Sequence, residues 1–226
     1  AFGTVDDLLT KYPEIAYIKW DANASIQNVG SLYLPMDKQT NLYVDYQLGL
    51  LKVLQRVRAK YPNVVFEGCS SGGMRMDYKT LSAYSLVSTS DQTDYMLYPY
   101  IAGNILAAVL PEQAAVWSYP VATDCKSGED VSDDRIVINM INSFLGRMHL
   151  ASHLDYLNEH QMDLIREGVT YYNTLSEMKK TAVPYFPIGF TNFGDDIVCA
   201  GLKDDNKIYL AVWNLKGEKE IVIPIA

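Results

Sequence analysis

Apolar and polar residues alternate in two rhythms along this chain, and the two follow one another in a regular order. Short apolar runs of strand length are each succeeded by a longer stretch with apolar residues at helical spacing. That is how parallel strands joined by crossover helices read in sequence. IAYIKW at 15–20 predicts a first strand, and Leu48, Leu51, Val53, Leu54 and Val57 mark a helix within 41–60. Pro62 and Asn63 break it, NVVFEG at 63–68 predicts a second strand, and a short helix follows around 78–84. SLVSTS at 85–90 leads into a helix over 98–109, and AAVWSY at 114–119 into one over 134–145. A weak fifth strand at 147–150 precedes a helix over 158–179.

Five strand-helix units are too few to close a (β/α)8 barrel, which takes about 250 residues. The expected fold class is therefore α/β, a partial (β/α)8 TIM barrel over residues 1–183. After Pro184 and Pro187 the texture changes to DIVCAGLKDD, NKIYLAVWNL and EKEIVIPIA, separated by polar turns, which predicts a small antiparallel β-segment over 184–226. A partial barrel leaves strand edges and apolar faces to be covered, so a homo-oligomer that completes the barrel is expected.

Composition narrows the classes further. A hydrophobic fraction of 49% suits a packed core. The formal charge of −8 arises from 27 acidic against 19 basic residues, with no basic stripe to neutralise a phosphate backbone, so nucleic acid is not an expected partner. Three widely spaced cysteines, Cys69, Cys125 and Cys199, form no Cys-x-x-Cys pair and argue against a disulfide framework or structural zinc. AFGTVDDLLTKYPE at the start has neither the basic nor the apolar region of a signal peptide, and no apolar run reaches spanning length. The expectation is a cytoplasmic protein without a membrane partner. Seventeen Tyr and three Trp provide flat amphipathic surfaces that suit sugars as well as ordinary cores.

The candidate chemistry lies at strand ends. The period of two in IAYIKWD puts Tyr17, Lys19 and Asp21 on one face and Ile18 and Trp20 on the other. Two charges ending an apolar strand need each other or a polar ligand, and the C-terminal ends of barrel strands are where active sites form. A structural ion pair or helix cap is the competing reading. SLVSTSDQTD repeats the arrangement with Asp91, while Asp94 reads as the N-cap of the next helix. A retaining glycosidase needs two such carboxylates about 5–5.5 Å apart. GCSSGG at 68–73 offers close backbone approach and short polar side chains, or is a tight structural turn; it lacks the Lys-Ser/Thr of a phosphate loop. Arg75 and Asp77 after it read as mutual support, with contact to substrate as the alternative. His149 and His153 stand at i, i+4, with His160 further on, but no Glu-x-x-His accompanies them, so neither metal nor cofactor is expected.

KWDAN, CSSGG and SDQTD in that order, with PEQAAVWSYP at 111–120, resemble the nucleophile, glycine-loop and acid/base motifs of family 36 α-galactosidases. The resemblance runs from the middle of that family's barrel into its C-terminal β-domain. It implies a retaining hydrolase of α-linked galactose in oligosaccharides, with Asp21 as nucleophile and Asp91 as acid/base. Lys19, Asn23, Cys69 and Gly72 would bind sugar hydroxyls. It also admits two alternatives, a raffinose-synthase-like transglycosylase and a sugar-binding half-barrel that depends on partner subunits. Two departures from the family stand out: Ala22 and Ala24 replace a methionine and an arginine beside the nucleophile, and the early strands carrying further sugar-gripping residues are absent.

Overall fold

A computed structural model describes residues 1–23, 27 and 30–225. Its parallel sheet has five strands in chain order, β1 (Tyr17–Asp21), β2 (Val65–Cys69), β3 (Leu86–Ser88), β4 (Ala114–Ser118) and β5 (Arg147–Leu150). Each strand is followed by a helix: α2 (Leu42–Lys60), α3 (Tyr78–Ala83), α4 (Tyr98–Asn104), α5 (Asp133–Phe144) and α6 (Glu159–Thr174). The architecture is a partial (β/α)8 barrel followed by a small antiparallel sheet. One helix precedes the first strand, α1 (Phe2–Lys11), and the strand-helix count does not include it. The chain forms two compact units, Ala1–Val87 and Ser88–Ala226.

In the first unit, β1 and β2 pair in parallel with Lys19 opposite Glu67 and Asp21 opposite Cys69. Leu51, Leu54 and Val57 lie along one face of α2 and are buried, as are Phe66 of β2 and Leu81 of α3. Gly68 has a packing reason of its own. A Cβ there would fall 2.8 Å from the ring of Tyr84, so the missing side chain is the space that ring occupies. Helix α3 starts where Asp77 accepts hydrogen bonds from the backbone N–H groups of Lys79 and Thr80, an N-cap that answers two otherwise orphaned donors.

In the second unit, Ser132 caps α5 and Asn158 forms a capping box with Gln161 on α6. Gly168 lets α6 approach Met140 of α5, and the resulting core holds Val121, Cys125, Val131, Ile136, Met140 and Ile165. The antiparallel sheet comprises β6 (Val183–Tyr185), β7 (Ile197–Lys203) and β8 (Ile208–Asn214), in that order. DIVCAGLKDD and NKIYLAVWNL are thus strands, but the predicted third segment is not. Residues 218–225 pair with no strand among the described residues, and Val183–Tyr185 takes the third place, with its residue Val183 opposite Lys203. The alternation in EKEIVIPIA describes an extended chain without fixing a partner. β8 is anchored to α5 where buried Trp213 donates its indole N–H to Asn142 at 2.8 Å.

Candidate active site

In the first unit, exposure along β1 alternates as its sequence predicts: Tyr17, Lys19 and Asp21 are open, while Ile18 and Trp20 are half-buried. Asp21 is the last residue of its strand. Parallel register places the side chains of Glu67 and Cys69 on the face of β2 that continues the Lys19 and Asp21 face. The sheet therefore brings together Lys19, Asp21 and Cys69.

The glycine loop clasps the end of β1. Ala22 donates its N–H to the carbonyl of Cys69 at 2.9 Å, and Ser70 Oγ donates to the carbonyl of Ala22 at 2.7 Å. Asn23 Oδ1 accepts the N–H of Ser71 at 2.7 Å, which ties the KWDAN and CSSGG motifs directly. Ser71 has φ of 44° and Gly72 of 72°, so the loop turns through the left-handed region at two consecutive residues. The tight-turn reading and the ligand-approach reading are compatible at Gly72. Ala24 lies outside the described residues. Beside the clasp is a cavity of about 570 Å³ that Asn23 and Ser70 share with Arg75, Lys79, Tyr46 and Met74.

Glu67 is a residue that motif reading passes over. It is 1% exposed, its Oε2 accepts the hydroxyl of Tyr17, and its Oε1 has no hydrogen-bond partner among the described residues. A carboxylate in an otherwise apolar strand run, two residues before Cys69, was the available signal.

In the second unit, Asp91 is exposed and stands three residues beyond β3, on a turn built by its neighbours. Ser90 Oγ accepts the N–H of Gln92 at 3.1 Å, and Gln92 Oε1 accepts that of Asp94 at 2.9 Å. Asp94 caps a turn rather than the helix. Its Oδ1 accepts the N–H of Met96 at 2.8 Å, while the N-cap position of α4 falls on Leu97 because the chain makes one more turn first. Behind Asp91, Thr89 binds the carbonyl of Ala115 through both its N–H and its hydroxyl, and the Tyr98 hydroxyl lies 3.2 Å from Thr89 Oγ1. Burial, more than any other influence, pushes the Tyr98 hydroxyl pKa up, and the negative charge of Asp91 acts in the same direction.

The remaining sequence candidates have local duties. Asp77 is the α3 cap, His149 packs its edge against Trp117 with centroids 4.9 Å apart, and His153 stacks on Tyr156. His160 lies 2.9 Å from Asp133, and that contact raises its pKa.

A partial (β/α)8 barrel hosts many chemistries, so the class follows from the family match rather than from the fold, and it is that of the glycoside hydrolases. Within it, the chain belongs to the melibiase family, whose model matches residues 1–177, and so stands with the family 36 α-galactosidases. Alpha-galactosidase 1 of Pediococcus pentosaceus is 41% identical over 93 residues, which are 41% of this chain and 13% of that enzyme. Probable alpha-galactosidase C of Aspergillus terreus is 40% identical over 91 residues, 40% of this chain and 11% of that protein. The crystal structure of the α-galactosidase AgaA from Geobacillus stearothermophilus superposes with a TM-score of 0.81 at 21% identity, over 98% of this chain and 30% of that one. The chain thus spans under a third of the relatives it resembles.

Proposed function

We propose that this chain carries the catalytic carboxylates of a retaining α-galactosidase. The observation that supports it best is the hydrogen-bonded clasp between KWDAN and CSSGG, which fixes the strand end bearing Asp21. In this reading Asp21 attacks the anomeric carbon of a terminal α-galactoside while Asp91 gives its proton to the departing oxygen, and the glycosidic C–O bond breaks. Asp91, now a base, takes a proton from water, whose oxygen attacks the same carbon and frees galactose and Asp21. Lys19, Asn23, Cys69 and Gly72 hold sugar hydroxyls from 1–183, the catalytic region, and 184–226 forms an appended β-segment.

Hydrolysis of an aryl α-galactoside by the purified protein tests this. Asp91→Asn should lower kcat by about 10²–10⁴-fold, and Asp21→Asn at least as far. Wild-type turnover no better than that of the two variants refutes the assignment. Product analysis at high sugar concentration separates hydrolysis from transglycosylation.

Exposed Leu32, Tyr33, Met36, Val44, Met74 and Tyr78 in the first unit favour assembly with further copies, as in a homo-oligomer that completes the pocket. Light scattering alongside the assay checks it, because an active monomer contradicts the need for a partner. No helix among the described residues is long and apolar enough to cross a membrane; a cytoplasmic location is part of the same proposal.

A further inference from the structure

Behind the exposed Asp91 lies a cluster of polar side chains for which the reaction itself has no use. Ser88, Thr89 and Tyr98 are all buried, and all belong to the second unit. A buried hydroxyl is tolerated only where it finds partners, and an apolar side chain of the same shape fills space equally well. The cluster thus calls for a duty beyond packing.

Its hydrogen bonds form a closed chain. Thr89 Oγ1 gives its single proton to the carbonyl of Ala115 at 2.9 Å, so in the 3.2 Å contact between Thr89 Oγ1 and the Tyr98 hydroxyl it is Tyr98 that donates. The Tyr98 oxygen in turn accepts the backbone N–H of Trp117 at 3.1 Å. The N–H of Thr89 reaches the same Ala115 carbonyl at 3.1 Å, and the indole N–H of Trp117 donates to Ser88 Oγ at 2.8 Å. Ser88 ends β3, Ala115 and Trp117 belong to β4, and Tyr98 opens α4, so the Tyr98 hydroxyl ties the end of β3 to β4 and α4 at one point. That hydroxyl is no donor to substrate. Its proton is committed to Thr89, and burial, with the charge of Asp91 acting in the same direction, raises its pKa and keeps it neutral.

Asp91 depends on what holds its backbone. Its carboxylate takes no hydrogen bond or ion pair among the described residues, so its place is set by the chain on either side. On one side stands the turn made by Ser90 and Gln92, and on the other stands Thr89. A catalytic group misplaced by about 1 Å can lose about 10²-fold in rate.

We propose that Tyr98 and Thr89 are positioning residues, a buried hydroxyl clamp that fixes the strand end carrying the acid/base. The inference rests on the reading of Asp91 as that acid/base.

Two aryl α-galactosides distinguish positioning from stability. A dinitrophenol leaves without help, whereas unsubstituted phenol needs a proton from Asp91. A variant that merely unfolds part of the protein loses equally on both, since only the amount of enzyme changes; a misplaced acid loses selectively on the phenyl galactoside. Tyr98→Phe and Thr89→Val should each lose at least about ten-fold more kcat/KM on the phenyl than on the dinitrophenyl substrate. Thr89→Ser, which keeps the hydroxyl, should recover most of that loss. In an Asp91→Asn background neither substitution should add a selective loss. Equal losses, no losses, or a selective loss that persists without the Asp91 carboxyl overturn the clamp. Thr89→Val keeps the branched shape and the N–H bond to Ala115, and it decides the matter if Tyr98→Phe does not fold. A selective loss in Asp91→Asn alone leaves the acid/base standing and removes the clamp. Equal losses in Asp91→Asn, or a wild type that cleaves neither substrate, remove both.

Discussion

Lys179 is buried and forms no ion pair among the described residues. It is 5% exposed, its Nζ donates to the carbonyl of Gly146 at 2.8 Å and lies 3.7 Å from the centroid of the Tyr172 ring. Burial, assisted by the charge of Arg147, pulls its pKa from 10.5 to about 7. Below that value the side chain is charged in both the folded and the unfolded chain, and its desolvation penalty is fully present. Between about 7 and 10.5 the unfolded chain holds a proton that the folded chain has released. Stability contributed by this site therefore rises with pH across that window. From about pH 6 to about pH 8.5 the linkage integral amounts to roughly 2 kcal/mol. Lys179→Met removes that rise. It also removes the bond to Gly146, at about 1 kcal/mol, but this cost is the same at both pH values. His160, whose pKa is raised by Asp133, contributes stability that fades as pH climbs through its folded value, and it does so equally in wild type and variant. Urea unfolding of both proteins at the two pH values isolates Lys179 as a difference of differences. Wild type should gain about 2 kcal/mol relative to the variant on moving to the higher pH. A change below about 0.5 kcal/mol would show that Lys179 stays protonated in the fold, with the Tyr172 face and the Gly146 carbonyl outweighing desolvation.

Two further substitutions probe the framework. Gly201→Ala in β7 would place a Cβ 2.2 Å from the carbonyl oxygen of Tyr209 on β8, backbone that cannot rotate away. A loss of about 3 kcal/mol or more in denaturant unfolding is expected, and a loss under about 1 kcal/mol would mean that the two strands separate easily. Asp77→Ala should cost about 1 kcal/mol through loss of the α3 cap. Burial opposes ionisation of Asp77, yet the bonds from Thr80 and Lys79 win and lower its pKa below 3.8. The wild type should therefore lose stability as pH falls through that depressed value, and the variant should lack this acid-limb component; identical acid limbs in the two proteins would contradict the capping role.

The parts of the fold that could be read from sequence are those specified locally. The period of two in IAYIKWD fixed which side chains of β1 share a face, and the observed alternation of exposure follows it. The helices α5 and α6 begin beside Ser132 and Asn158, residues whose side chains cap whatever helix follows them. Long-range matters were not legible. Nothing in EKEIVIPIA reveals that β7 pairs instead with Val183–Tyr185, because either segment can lie extended and the choice depends on what is left uncovered. Asp94 shows the same limit at short range, since one additional turn of chain moves the start of α4 from Asp94 to beyond Leu97.

At the site the division is similar. Motif order pointed to KWDAN and CSSGG as partners, but not to how they join, which is through the Asn23 side chain and the left-handed backbone of Ser71 and Gly72. Glu67 went unnoticed because its importance lies in register: opposite Lys19 and bound by Tyr17, it is a buried carboxylate on the face that carries the proposed nucleophile. A carboxylate buried in that position needs hydrogen-bond donors, and the Tyr17 hydroxyl supplies one to Oε2. Lys19 stands opposite Glu67 across the strand pair and two residues before Asp21 on its own strand. The parallel register thus adds a buried acidic side chain, held by the Tyr17 hydroxyl, to the face on which Lys19 and Asp21 stand, and a motif confined to one strand cannot reveal it.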